Sequence, residues 1–263
     1  MSGIVDGLGS RSGVVGTTVN AKIPKGESPG GIDSYTVCMV RSDGTNNQAA
    51  TFNPDISIRS KIHTYGANGD PKHDTMAAPS LPPLTHSDGR AYSSCIAFDG
   101  NDSIQFGGSD HRHDFSFMRG DFTIDFWVRL AGVAGDQYMF SFAGGGSSDG
   151  HFAFNVYGSN FRIGPMSNSA HGYIGCAHGM STNTWYHLAY VRHKNNTFAF
   201  RDGVIIGTGT VSTHTDFMCD GNVYWGGYTG GGAQITGQMA EMRVSKGIAR
   251  WTTTFPKPSK AYF

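Results

Sequence analysis

The chain has 263 residues, a formal net charge of zero and 38 glycines, and only two of its 20 acidic residues are glutamates, Glu27 and Glu241. A composition poor in helix formers and rich in glycine and aromatic residues favours short strands joined by turns. The lysines and arginines are scattered along the chain, which argues against nucleic acid or an anionic membrane as a partner.

Residues 1–32 are predicted to form a flexible N-terminal arm. They are rich in Gly, Ser, Val and Thr, show no sustained periodicity, and end in Pro24, Pro29 and the pair Gly30-Gly31. They contain no apolar stretch long enough for the core of a signal peptide, so we expect synthesis in the cytoplasm. Residues 33–263 are then expected to form one domain, a length that a single sandwich commonly reaches.

The first part of this domain gives a mixed signal. The run Tyr35–Val40 is typical of a strand because it is rich in β-branched and aromatic residues. A polar, proline-containing stretch follows from residue 41 to residue 90, and its pattern does not place strands clearly.

Clear strand patterns begin after Ser94. Between Asp121 and Leu130 apolar residues occupy every second position: Phe122, Ile124, Phe126, Val128 and Leu130. The same alternation recurs in Phe152, Phe154 and Val156, in Trp185, His187, Ala189 and Val191, in Phe198 and Phe200, and in Ala240, Met242 and Val244. Gly-rich or polar turns separate these runs. The pattern predicts an all-β fold of two packed antiparallel sheets, with no helix beyond single turns.

Cysteine and histidine spacing gives no sign of a transition-metal site. Cys38, Cys95, Cys176 and Cys219 are far apart in sequence, and we interpret them as buried thiols. The segment Asp110–Asp114 contains two histidines but also an arginine, and we predict a solvated loop there.

Five segments, in this order, resemble the laminin-G-like branch of the concanavalin A-like lectin/glucanase superfamily. They are Phe98-Asp-Gly-Asn-Asp102, Phe122-Thr-Ile-Asp-Phe-Trp-Val128, Trp185-Tyr-His-Leu-Ala-Tyr-Val-Arg192, Asp202-Gly203 and Gly237-Gln-Met-Ala-Glu-Met-Arg-Val-Ser245. The set covers residues 94–263 and implies a jelly-roll sandwich.

The opening of the chain is similar to a narrower group. Met1-Ser-Gly-Ile-Val5, Asp33-Ser-Tyr-Thr36 and Asp43-Gly44 resemble the start of such domains in bacteriophage virion proteins.

The resemblance bears on catalysis and on calcium. Glycosidases of this fold cluster glutamates on one strand, whereas Glu241 stands next to Ala240 where the family commonly has a second acidic residue. We therefore predict no catalytic residues, and interpret Glu241 and Arg243 as a structural polar pair. No cofactor is expected to be required. Calcium is the one ion that the family implies, with Asp99 and Asp102 as its candidate ligands; the alternative is that both aspartates shape their turn.

Three loop aromatics are the candidate ligand-binding residues: His171, Tyr173 and Tyr228. Aromatic rings in loops present a flat apolar surface with a polar edge, which suits sugars. The alternative is that they cap the ends of the sandwich.

These observations lead to a functional hypothesis. We expect a non-catalytic structural or adhesive protein of a phage particle, as a capsid decoration or a part of the tail, that is found in the virion after synthesis in the host cytoplasm. The arm would contact other virion proteins, the protein would form a homo-oligomer, and the sandwich would meet a host-surface glycan. A free carbohydrate-binding lectin module and a polysaccharide-cleaving glycosidase are the alternatives.

Overall fold

A computed structural model describes residues 35–40, 61–66, 72–74, 82–85, 95–107, 112–143, 151–166, 172–212, 216–228 and 233–262. Within these ranges the chain forms one helical turn, α1 (Arg112–Phe115), and fifteen strands. The strands are β1 (Thr36–Val40), β2 (Lys61–Gly66), β3 (Lys72–Asp74), β4 (Cys95–Asp99), β5 (Asp102–Gly107), β6 (Phe122–Leu130), β7 (Asp136–Phe142), β8 (Phe152–Tyr157), β9 (Asn160–Pro165), β10 (Ile174–Ala177), β11 (Trp185–His193), β12 (Asn196–Arg201), β13 (Val204–Thr210), β14 (Val223–Trp225) and β15 (Thr236–Lys246).

The strands form two antiparallel sheets, as the sequence predicts. The eight-stranded sheet has the order β13-β12-β11-β6-β15-β4-β3, with β1 pairing to β15, and the seven-stranded sheet has the order β10-β9-β8-β7-β14-β5-β2. Crossovers between sheets separate neighbours such as β6 and β15 widely in sequence. The all-β jelly-roll prediction is confirmed.

The main core lies between the sheets. Phe126 of β6 is fully buried, and its ring centroid lies 5.1 Å from that of Phe154 and 5.6 Å from that of Trp225, both on the opposite sheet. Phe122, Ile124, Val128 and Leu130 are buried in the same core. The alternation in β6 therefore predicts the core face correctly.

Both faces of β11 and β12 are buried. The alternating positions predicted from the sequence lie on the outer face of the sheet. Leu188, Tyr190 and Ala199 face the main core. Ala189, Val191 and Phe200 form a separate cluster on the outer face with Trp251. The alternating apolar positions of these strands are largely buried, but they pack against residues 248–262, which we call the C-terminal segment, and not against the second sheet.

A bulge in β15 changes which residues face the core. Glu241 has a φ of 50°, and the pairing with β6 shifts register between Ala240 and Arg243. Consequently Met239 and Met242 both enter the main core, whereas Ala240 packs with Trp127 on the outer face. The prediction that Ala240 and Met242 share a face is wrong, because two residues of β15, Glu241 and Met242, lie opposite one residue of β6 at the bulge.

Two strands lie in the stretch where the sequence does not place them. β2 pairs with β5 and β3 pairs with β4, so each is the last strand at one edge of its sheet. β1 joins β15 close to the expected start of the domain. The predicted arm, residues 1–32, lies outside the described residues.

The remaining local predictions fall on described residues. The four cysteines are free thiols, with Cys38, Cys95 and Cys219 buried and Cys176 partly buried. Part of the predicted loop Asp110–Asp114 forms the helical turn α1, because Phe115 is buried in the main core. In the described part of the chain no helix has the length and apolarity needed to cross a bilayer.

Candidate functional site

The outer face of the seven-stranded sheet carries a row of residues that runs across four strands. Tyr138 of β7 pairs with Asn155 of β8, Asn155 with Arg162 of β9, and Arg162 with Gly175 of β10. Neighbours on β8 and β9 such as Phe154, Val156, Phe161 and Ile163 point into the core, so the row faces outward. Three strand spacings make the row about 14 Å long.

A cluster of aromatic rings in tilted and edge-to-face contact covers the β7 end of the row. The ring centroid of Tyr228 lies 4.6 Å from that of Tyr138 and 5.4 Å from that of His151. Burial, with the nearby Asp136 carboxylate, raises the pKa of Tyr138 to about 12 and also raises the pKa of Tyr228. Both phenols are neutral near pH 7.

The guanidinium of Arg162 lies over the ring of Tyr157, beside the middle of the row. The guanidinium carbon of Arg162 is 3.3 Å from the ring centroid of Tyr157. Tyr157 is 46% exposed. Stacking of this kind holds the guanidinium flat and leaves the N–H groups in its plane to bind other acceptors.

Tyr173 covers the β10 end. A Cβ atom at Gly175 would lie 3.3 Å from the ring of Tyr173 and 3.4 Å from its hydroxyl oxygen. The close approach of this ring to the sheet therefore depends on the absence of a side chain at Gly175.

Buried polar atoms form part of the same surface. The Nδ2 group of Asn155 donates a hydrogen bond to Oδ1 of Asp136. Among the described residues, Oδ1 of Asn155 and Nδ1 of His151 are buried and have no hydrogen-bond partner. Such atoms are rare in native proteins.

We call this surface the tyrosine face. It consists of four tyrosines and four polar residues: Tyr138, Tyr157, Tyr173, Tyr228, Asp136, His151, Asn155 and Arg162. Aromatic rings beside hydrogen-bond donors and acceptors are the usual components of a sugar-binding surface.

Two of the three predicted ligand-binding residues belong to this face. Tyr173 and Tyr228 lie at opposite ends of the row, and His171 lies outside the described residues. Their binding role stays a prediction. The sequence does not single out Asn155, Tyr157 or Arg162. The alternation of Phe152, Phe154 and Val156 nevertheless implies that Asn155 and Tyr157 point the other way.

The predicted calcium ligands lie in the β4–β5 turn. The backbone N–H of Asp99 donates to Oδ1 of Asp102 over 3.1 Å, and the N–H of Asn101 donates to Oδ1 of Asp99 over 2.9 Å. Asp102 is buried and Asp99 is exposed. These contacts are those of aspartates that shape a turn. Within the described part of the chain, no three His, Cys, Asp or Glu side chains come together as a metal site. A calcium role stays a prediction.

A second polar cluster lies on the outer face of the eight-stranded sheet, beneath the C-terminal segment. Nε and Nη2 of Arg243 donate to the two carboxylate oxygens of Asp125 over 3.0 and 3.1 Å. The hydroxyl of Tyr262 also donates to Asp125, and its backbone N–H donates to Glu241 over 2.8 Å. Nε2 of His187 lies 3.0 Å from the Tyr262 hydroxyl. All five side chains are buried, so substrate has no access to either carboxylate.

The charges in this cluster follow from its contacts. Burial would raise the pKa of Asp125, but the Arg243 guanidinium and His187 hold it well below its usual range. Burial lowers the pKa of His187, an effect that Asp125 opposes in part. Burial and the Asp125 charge raise the pKa of Tyr262. The cluster is therefore an Arg–Asp ion pair with a neutral histidine and a neutral tyrosine, which fixes the C-terminal segment to the sheet.

Comparison with protein families gives one match. The model of a concanavalin A-like lectin/glucanases superfamily domain, of the laminin-G type, matches residues 98–250. Comparison with curated protein sequences gives no match.

Solved structures with the same fold are distant in sequence. Domain 4 of AbnA, a GH43 extracellular arabinanase from Geobacillus stearothermophilus, in complex with arabinotriose, has a TM-score of 0.57 and 11% identity over 86% of this chain and 95% of its own. The binding domain of Paraclostridial Mosquitocidal Protein 1 has a TM-score of 0.53 and 11% identity, over 82% of this chain and 50% of its own. The binding domain of Botulinum Neurotoxin DC in complex with SialylT has a TM-score of 0.54 and 10% identity, over 82% of this chain and 49% of its own. The chain thus spans about half the length of these toxin structures.

Proposed function

The chain belongs to the concanavalin A-like lectin/glucanase superfamily, and we propose that it is a non-catalytic adhesive module that binds glycan on its tyrosine face and is displayed on a bacteriophage particle. The observation that carries the glycan-binding part is the row from Tyr138 to Gly175, with aromatic rings at both ends and polar atoms between them.

The physical basis is the complementarity between this row and a short oligosaccharide. Sugar rings have apolar C–H faces, which pack on aromatic rings, and hydroxyl edges, which exchange hydrogen bonds with amide, carboxylate and guanidinium groups. Tyr157 supplies an exposed ring, and Arg162 supplies a charged hydrogen-bond donor beside it. A row about 14 Å long accommodates two or three sugar residues.

Structural neighbours are consistent with this proposal. One is a domain of an arabinanase in complex with arabinotriose, and another is a toxin binding domain in complex with SialylT. Sequence identities near 10% indicate a shared fold but do not indicate a shared ligand, so the proposal for this chain rests on its own residues.

One feature of the eight-stranded sheet supports a non-catalytic role. Glycoside hydrolysis uses two carboxyl groups that flank the scissile bond and are open to substrate. On the eight-stranded sheet, Asp125 and Glu241 are the carboxylates that come close together through Tyr262, and both are buried under the C-terminal segment.

The second part of the proposal is that the protein is displayed on a bacteriophage particle. It is supported by the resemblance of the opening segments to bacteriophage virion proteins and by the composition of residues 1–32. In this proposal the arm contacts other virion proteins, copies of the chain form a homo-oligomer, and the tyrosine face meets a glycan of the host surface. Calcium, if bound, is held by the Asp99–Asp102 turn.

A glycan array probed with the full chain tests the glycan-binding proposal. We expect binding to a defined set of glycans by the native chain and its loss in Tyr157→Ala. Tyr35→Ala is the matched control, because Tyr35 is similarly exposed, at 43%, but lies beside β1 of the other sheet. Binding that is unchanged in Tyr157→Ala would contradict the assignment of the site. Release of reducing sugar from a bound glycan would contradict the non-catalytic role.

A further inference from the structure

We propose that the ligand of the tyrosine face is an acidic glycan, and that the guanidinium of Arg162 binds the carboxylate of one of its sugars. This inference rests on the proposed glycan-binding function and adds the chemical class of the ligand. It follows from the charges on the face and from how they are arranged.

The positive charge of Arg162 is not neutralised within the described residues. Its guanidinium is stacked on Tyr157, and no described carboxylate lies within ion-pair distance of it. Two other partly exposed cations of the domain do have carboxylate partners: Arg119 pairs with Asp216, and Lys257 pairs with Asp202. An unpaired, immobilised guanidinium beside hydrogen-bonding side chains is a binding site for an anion.

The geometry of Arg162 favours a planar anion. Tyr157 covers one flat side of the guanidinium at 3.3 Å, which leaves the edge of the fork and the second flat side for a ligand. A carboxylate accepts two parallel N–H bonds from that edge, whereas a hydroxyl group accepts one. Because stacking already restricts the side chain, less rotamer entropy is lost when the ligand binds.

The negative charge on the same face limits how many acidic groups the ligand carries. Asp136 lies on β7, two strands from Arg162 on β9, which separates their backbones by about 10 Å. The carboxylate of Asp136 accepts a hydrogen bond from Asn155 and stays available to accept from sugar hydroxyls. It would repel a second anion at that end of the row. The preferred ligand is therefore a glycan with spaced carboxylates and neutral sugars between them, and not a dense polyanion.

Tyr173 completes the arrangement. Its ring lies over Gly175, which is the cross-strand neighbour of Arg162. A sugar whose carboxylate reaches Arg162 would thus lie beside the ring of Tyr173, which can cover one of its apolar faces.

The test compares carboxylated and carboxyl-reduced forms of the same glycans. An array of acidic bacterial and host glycans is printed twice, once native and once after reduction of every carboxyl group to a primary alcohol, beside neutral glycans and a sulfated polyanion. We expect the native chain to bind carboxylated glycans about tenfold or more tightly than their reduced forms, as one charge-assisted pair would give.

Two substitutions locate the effect. Arg162→Gln should remove the preference for the carboxylated form, and Arg162→Lys should keep part of it because the charge remains without the fork. Arg119→Gln removes an exposed arginine outside the tyrosine face and should leave the preference unchanged.

Each outcome is decisive. Equal binding to native and reduced glycans, or preference for the sulfated polyanion, would overturn the acidic-glycan inference while the glycan-binding function stands. A preference that survives in Arg162→Gln would overturn the role of this residue. Absence of binding to every printed glycan would contradict the proposed function itself.

Discussion

The hydroxyl of Tyr262 donates a hydrogen bond to the carboxylate of Asp125, which joins the C-terminal segment to the middle of β6. Both side chains are fully or almost fully buried. The contact closes the outer face of the eight-stranded sheet. The tyrosine face lies on the outer side of the other sheet.

Removal of this hydroxyl tests the role of the C-terminal segment. We expect Tyr262→Phe to lower the free energy of unfolding by about 1–3 kcal/mol, because Asp125 loses a donor and His187 loses its 3.0 Å contact while both stay buried. Urea melts of the native chain and of Tyr262→Phe measure the change, with Tyr35→Phe as the exposed control. A loss equal to that of the control would show that the segment is not fixed by this cluster.

The neutral state of His187 predicts a pH dependence of stability. Its pKa in the fold lies below the ordinary value of 6.5, so the unfolded chain binds more protons as the pH falls. The stability contribution is fully present above pH 6.5 and is lost as the pH falls below that value. Asp125, with a depressed pKa, loses its contribution only at lower pH, below its ordinary value of 3.8.

Melts of the native chain at about pH 7.5 and about pH 5.5 should therefore show lower stability at the acidic pH. The difference should shrink in His187→Gln and persist in His113→Gln, because His113 is exposed. An undiminished difference in His187→Gln would assign the effect to other groups.

Core packing gives a prediction for Phe126. We expect Phe126→Ala to destabilise the domain by about 3–5 kcal/mol, because the ring is fully buried between Phe154 and Trp225. Val204→Ala, at an exposed position on the edge strand β13, should change stability by less than about 0.5 kcal/mol. Comparable losses in denaturant melts of the two variants would contradict the position of Phe126 in the core.

The arm gives a prediction about assembly. A chain that starts at Asp33 should melt like the full chain, because it keeps all of β1, which begins at Thr36 and pairs with β15. In the proposed function it should fail to join phage particles, since residues 1–32 make the attachment. Co-purification of the shortened chain with particles would show that the attachment surface lies on the sandwich.

The sequence predicts the core of β6 well because only one face of its alternation is uniformly apolar. It does not distinguish the two faces of β11, since Leu188 on one face and Val191 on the other are equally buried. The bulge at Glu241 has no sequence signal either, because a non-glycine residue adopts its φ of 50°. β2 and β3 are not predicted because edge strands are often short and polar and lack a clear apolar alternation.

The candidate site was predictable in part. Tyr173 and Tyr228 are recognisable as aromatics beside glycines, but nothing in their spacing brings them to one face. Asn155 and Arg162 become neighbours only through the pairing of β8 with β9. Polar residues at the outward positions of strands are common, and only the cross-strand register distinguishes these two from the rest.

The most direct test is a calorimetric titration of the native chain, Tyr157→Ala and Tyr35→Ala with the glycan that the array shows to bind best. Glycan binding on the tyrosine face predicts that Tyr157→Ala weakens the affinity by about tenfold or more, since an exposed ring in contact with a sugar and its stacked Arg162 are both disturbed. Tyr35→Ala should bind like the native chain, and all three should melt at the same temperature. Equal affinity of Tyr157→Ala and the native chain would contradict the central claim.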